Sequence, residues 1–109
     1  MSSAQNAFDF VLKTQGRIMT YERNGGDETD QILVCPSNYF RNLAGIEETQ
    51  FQGREFVISK TVFDNSVFAD KIPHRSDVIV DPDFGDSTIS EVRELMVFGI
   101  IIGYRIRTS

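Results

Sequence analysis

The single histidine and the single cysteine are the residues best equipped for chemistry, and neither has the company that chemistry needs. His74 has Asp70 and Asp77 near it in the chain, a set that on paper makes an acid–base pair, but nearness in sequence does not place side chains together. Cys35 ends the apolar run Ile32-Leu33-Val34, where a small buried hydrophobe is the plainer reading; a nucleophile would need a neighbouring base or positive field. One thiol and one imidazole cannot supply a four-ligand zinc set, and a lone cysteine forms no internal disulfide. Carboxylates cluster at Glu47-Glu48 and at Asp81, Asp83 and Asp86, where a hard cation would find oxygen. A loop opening at Asp81 has neither the glycine nor the closing glutamate of a calcium hand, so a solvated acidic turn is expected. No glycine-rich phosphate loop occurs. Tyr39, Phe40, Phe51, Phe56, Phe63 and Phe68 could stack bases, but the basic residues among them are only Arg41, Arg54, Lys60 and Lys71, and core packing is the preferred reading. The residues thus predict no catalytic set, no cofactor and no metal.

The elements that position these residues must come from one small domain. The chain has 109 residues, 12.4 kDa, 11 Lys plus Arg against 16 Asp plus Glu, a net charge of −5 and a pI near 4.7. That length supports a single core over residues 1–109, and the acidic balance disfavours nucleic-acid binding by charge alone. The polar opening Met1 to Asn6 lacks the features of a secretory signal. The longest apolar stretch, Met96 to Tyr104, is about half of the ~20 residues a membrane helix needs and is expected to be a buried strand, in which Gly99 and Gly103 relieve close backbone approach.

Ala7, Phe8, Val11 and Leu12 have helical spacing, which predicts a short amphipathic helical segment over 1–15 stopped by Gly16. Arg17 to Arg23, the turn Asn24-Gly25-Gly26-Asp27 and a strand from about Gln31 to Cys35 predict a hairpin. Residues 36–49 and 64–76 are expected to be long loops, the first with a possible helical turn, and residues 50–63 one long strand or two short ones bent at Gly53. Asp77 to Asp81 is a strand closed by a Pro-Asp-Gly turn; Glu91 to Phe98 is a short helix or a continued strand; Ile100 to Arg107 is a strand with one wet face near its end. About six short strands without regular strand–helix alternation favour a mainly β fold, a small antiparallel barrel or sandwich, with the barrel preferred.

Four segments together carry a resemblance. They are Gln52 to Ser59; Ile72-Pro73-His74-Arg75-Ser76-Asp77-Val78-Ile79; Ser90 to Leu95; and Gly99-Ile100-Ile101-Ile102-Gly103-Tyr104-Arg105-Ile106. With the opening Phe10-Val11-Leu12-Lys13, Gly16 and Ile18 to Tyr21, this pattern resembles the head completion proteins of long-tailed bacteriophages, also called head-tail connector or stopper proteins. It runs from about Phe8 to Arg107, with Ser76-Asp77 standing where the pattern has Gly-Asp.

The resemblance implies a structural virion protein of the neck, assembled in the host cytoplasm. It would form a hexameric or dodecameric ring below the portal and adaptor, keep packaged DNA inside and offer the tail a docking surface. It would not be an enzyme or a membrane protein. DNA would pass the channel without sequence-specific contact, since acidic walls repel phosphates. The loop Asp64 to Arg75, with Asp64, Asn65, Phe68, Asp70, Lys71, His74 and Arg75, is the expected channel or interface element, an ordinary connection being the alternative. Phe8, Phe10 and Val11 either cap the barrel's open end or dock on a neighbour. A free-standing barrel that binds a peptide or single-stranded nucleic acid is the other class of function.

Overall fold

The computed structural model describes residues 3–36, 54–82 and 85–108. The expected excursion 37–49, the bend at Gly53, Phe51 and Asp83 lie outside these residues. Helix α1 spans Ser3–Gln15, followed by β1 (Arg17–Arg23), a 3-10 turn (Asn24–Gly26) and β2 (Glu28–Pro36). Then come β3 (Glu55–Ser59), a short helix α2 (Lys60–Asp64), β4 (Val78–Asp81), β5 (Gly85–Val97) and β6 (Ile100–Thr108). The six strands close into a barrel in the order β1-β2-β3-β6-β5-β4, every pairing antiparallel.

Alternation of side chains along the strands divides the apolar residues between two compartments. Met19, Tyr21, Ile32, Val34, Phe56, Ile58, Ile79, Tyr104 and Ile106 face inward and, with Phe63 and Phe68, fill the barrel. Leu12, Cys35 and Val57 form a separate cluster, with Phe8, Leu33 and Leu95 at its margin. Helix α1 therefore lies along the outer wall, where Cys35 is the small buried hydrophobe its sequence context suggests. It does not cap the barrel's open end.

One further expectation is revised and one open choice is decided. Residues 60–63 continue no strand: Ser59 ends β3 and its Oγ accepts from the Thr61 N–H, which caps α2 and turns the chain inward. Of the two alternatives for Glu91 to Phe98, a short helix or a continued strand, the structure has the strand, with β5 running to Val97.

Strand order also fixes what the connection from β3 to β4 must do. In the ring of six these two strands stand on opposite sides, and both meet the same end of the barrel. Residues 60–77 consequently cross that mouth. Phe63 and Phe68 are completely buried beneath the crossing, stacked edge-on to Tyr21 with ring centres 5.4 and 5.2 Å away. The antiparallel order brings the β1–β2 turn and the β5–β6 turn to this same end.

Candidate functional site

The mouth with its lid is where most of the sequence-predicted site residues gather, and their anchor is a residue the sequence did not single out. Arg23, the last residue of β1, is 8% exposed and gives its whole guanidinium to the lid. Its Nε and Nη2 donate to Asp77 at 3.2 and 3.0 Å, its Nη1 to Asp70 at 3.0 Å, and its Nη2 to the Ile72 carbonyl at 2.6 Å. The same group lies 4.7 Å from the centre of the Phe68 ring. Buried Asp77 also accepts from Tyr21 Oη at 2.6 Å and from the His74 N–H at 3.0 Å. Burial, aided by the Asp77 carboxylate, pushes the Tyr21 phenol far above its ordinary range. Partial burial pushes the Asp70 carboxyl up, but the hydrogen bond from Arg23 outweighs it and holds the group below its usual value.

Within this arrangement the predicted loop divides. Phe68 belongs to the core, so it cannot face a channel or a partner. Asp70 is exposed and tied to Arg23, while Lys71 donates to the Ser66 carbonyl. Asp64, Asn65, His74 and Arg75 are exposed; Lys60 and Asp64 form an ion pair at 2.9 Å, and Asn65 Nδ2 donates to the Thr61 carbonyl. His74 Nε2 does meet a carboxylate, that of Asp70, whereas Cys35 sits in the outer cluster beneath α1. The imidazole therefore joins two turns of a strapped lid, and Asp70 is shared with Arg23. Among the described residues no group of three or more His, Cys, Asp or Glu is placed to hold a metal ion. Phe56, Phe63 and Phe68 are all fully buried and offer no face to a base.

A second feature stands at the same end. Beyond Gly103 and Ser59, the last pair of β3 with β6, the β5–β6 ribbon continues alone to its turn at Phe98-Gly99. Of the stretch Met96 to Tyr104, expected to be a buried strand, Ile102 and Tyr104 are buried, but a turn divides it and its tip is in water: Met96 is 55% exposed, Phe98 98% and Ile100 56%. A register shift after Leu95 sets Met96 opposite Ile101, and Ile101 packs against the core. The sequence signal that finds this hairpin is Gly99 after Phe98, flanked by two apolar runs, because a two-residue turn needs a residue suited to positive φ. Only Gly103 relieves the expected close approach: a β-carbon there would lie 2.5 Å from the Phe8 ring and 2.8 Å from the Ile58 carbonyl oxygen, whereas at Gly99 nothing would lie within 4 Å and the glycine serves the positive φ of the turn.

Helix α1 is locked to the wall beside this ribbon. Asp9 accepts from Ser59 Oγ, from Thr61 Oγ1 at 2.7 Å and from Gln5 Nε2 at 2.9 Å; Gln5 Nε2 also reaches the Ile102 carbonyl at 3.0 Å. Of the predicted docking residues, Phe8 is spent on packing against the barrel, while Phe10 and Val11 remain 70% and 37% exposed. At the opposite end, Arg17 and Arg54 both donate to fully buried Asp81, at 2.6 and 2.7 Å. Among the described residues no helix is long and apolar enough to cross a membrane. Compared with family models, curated proteins and solved structures, the chain matches none.

Proposed function

We propose that this chain is a structural, non-enzymatic protein of a bacteriophage neck, a head completion or stopper component. In this reading it forms a ring below the portal and adaptor, holds packaged DNA and presents a surface to the tail. The observation that supports it is a closed barrel whose β5–β6 hairpin ends in a tip, Met96, Phe98 and Ile100, that lies outside the core. Apolar surface spent in this way favours contact between proteins over catalysis. The barrel interior is filled by Tyr21, Phe56, Phe63 and Phe68, so a duplex would pass between copies around a common axis and never through one copy. A net charge of −5 suits such a wall, because it repels phosphates and leaves the duplex free to slide.

The closing element in this reading is a braced surface and not a swinging loop. Arg23 and the buried Phe63 and Phe68 fix the lid, and the side chains it leaves exposed include Asp64, Asn65, Asp70, His74 and Arg75 with the apolar Val67 and Ile72. The test is electron microscopy of lysates from a phage whose copy of this gene is disrupted. Separated, emptied heads beside finished tails are the expected outcome. Normal infectious virions would overturn the reading and leave a peptide- or single-strand-binding barrel, to be examined by titration with oligonucleotides at several salt concentrations.

A further inference from the structure

Strand β5 outruns the neighbour on one of its two sides. β6 accompanies it from Ile89 to Val97. On the other side the β4 ladder reaches Val78 with Thr88, and two more hydrogen bonds tie Ile89 to Ser76 and Asp77. Among the described residues, no strand and no backbone hydrogen bond follows on that side from Ser90 onward. In an antiparallel ladder every second residue turns its N–H and C=O away from its partner. Ser90 to Val97 therefore hold out a row of unused donors and acceptors, and none of these eight residues is buried. Edges of this kind are blunted by proline, by shortness or by charge. This one has no proline, and its charges, Glu91, Arg93 and Glu94, are of both signs. Charge of one sign would hold identical edges apart, whereas mixed signs select a register.

We infer that this edge pairs with the same edge of a second copy, antiparallel about a two-fold axis at Val92, with Glu91 of each copy opposite Arg93 of the other. Residues directly opposite in an antiparallel pair share a face of the sheet, so a two-fold pairing of identical strands must centre on one residue. Four centres, Val92 to Leu95, keep at least five residues of each copy on the open edge. Centring on Arg93 or Glu94 sets like charges face to face, which is unfavourable, and centring on Leu95 leaves Arg93 opposite Val97 and Glu94 opposite Met96. Only Val92 sets Glu91 against Arg93, and it does so twice. The two side chains already meet within one strand, where Arg93 Nε donates to Glu91, and they keep 39% and 70% exposure for Glu91 and Arg93. A second copy turns that isolated surface pair into a network of four charges. The ladder then runs from Ser90 to Glu94 and stops where Ser76 and Asp77 occupy the edge at Ile89. A contact of this length belongs with transient complexes, below about 1,200 Å² in total, so the dimer is weak and reversible. A two-fold contact closes with two copies, so it describes the free chain and stands apart from the ring of the proposed function.

Sedimentation velocity of the full chain, from micromolar to millimolar concentration, is expected to show a reversible monomer–dimer equilibrium. Arg93→Glu alone and Glu91→Arg alone should each require about tenfold or more concentration for the same dimer fraction, because two opposite-charge pairs become two like-charge pairs. Both substitutions in one chain should restore the wild-type behaviour. These side chains lie on the surface, so urea midpoints should stay near that of the wild type, which separates lost pairing from lost fold. Val92→Cys locates the axis. Directly opposite residues lie about 4.5–5.5 Å apart between Cα atoms, within disulfide reach. Oxidised glutathione should therefore link the Val92→Cys dimer on a non-reducing gel, while Glu94→Cys, opposite Ser90, should stay unlinked. A wild type that remains monomeric throughout, single variants that associate as the wild type does, or a double variant that fails to recover would overturn the inference. So would a dimer that Glu94→Cys links and Val92→Cys does not. Normal virions without the gene would bear on the neck reading alone and leave the sedimentation outcome standing.

Discussion

Replacing Arg23 by Met removes the guanidinium that fastens the lid while keeping a side chain of similar length. In the wild type it makes three contacts with Asp77, one with Asp70 and one with the Ile72 carbonyl. Breaking a buried ion pair by removing one partner costs roughly 3–5 kcal/mol. Asp77 retains two donors, Tyr21 Oη and the His74 N–H, which places the expected loss at the lower end, about 3 kcal/mol. For a domain near this size that lowers Tm on the order of 10–20 °C. With no tryptophan in the chain, far-UV circular dichroism in a urea series is the assay. A cycle with Asp77→Asn should show a large coupling, since the two side chains are in contact. A loss below about 1 kcal/mol with additive behaviour would refute the clasp and leave Phe63 and Phe68 as sufficient to hold the lid. Acid gives a second readout. The Asp70 carboxyl is depressed in the folded state, so its contribution is present above its unfolded value of 3.8 and fades as pH falls through the lower folded value. Stability should decline with that acidification in the wild type and lose this component in Arg23→Met.

Gly103→Ala should destabilise by about 1–3 kcal/mol, since the new methyl meets both the Phe8 ring and the Ile58 carbonyl; a urea series checks this, and Phe8→Ala in the same chain should relieve only the ring clash. Ser76→Gly should stabilise by roughly 0.5–1 kcal/mol, because Ser76 adopts φ of 76° where glycine carries no side-chain penalty; a lower midpoint would show that its left-handed backbone costs nothing. Burial raises the phenols of Tyr21 and Tyr104, so stability declines as pH climbs above the ordinary value of 10.0. Tyr21, whose phenol is pushed far above that value, should contribute to the tyrosinate absorbance band only together with alkaline unfolding and not before it.

What the sequence revealed was mainly what local pattern controls. The β1–β2 hairpin was legible because Asn24-Gly25 is itself turn chemistry, and α1 because Phe8 and Leu12 recur at helical spacing up to Gly16. The residues 60–64 misled because Thr61, Val62 and Phe63 are strand formers by type, and one hydrogen bond from Ser59 overrides them. The run from Met96 to Ile100 misled for a different reason. Apolar residues report burial only on average, and a ribbon that outruns its neighbouring strand exposes them whatever their type. Arg23 was invisible as a hub because its partners Asp70 and Asp77 lie 47 and 54 positions away, and nothing local announces such a meeting. His74 and Asp70 do meet, although nearness in sequence gave no ground to expect it, and the contact braces the lid.

The β1–β2 hairpin joins the other four strands along two thin seams, β2 with β3 and β1 with β4. Strands β1 and β4 share three residue pairs, Thr20 with Val80, Tyr21 with Ile79 and Glu22 with Val78. Both partners of that seam have a local hairpin to form first, β1 with β2 and β4 with β5, across short connections. Joining them means closing a long stretch of chain for a small return in pairing, so this seam is expected to set the pace of folding. Arg23 and Asp77 sit at its margin, one at the end of β1 and one just before β4, so their contact forms only as the seam does. Until then both strands keep an unpaired edge, and a chain leaving the ribosome beside identical chains is exposed to strand exchange at that edge.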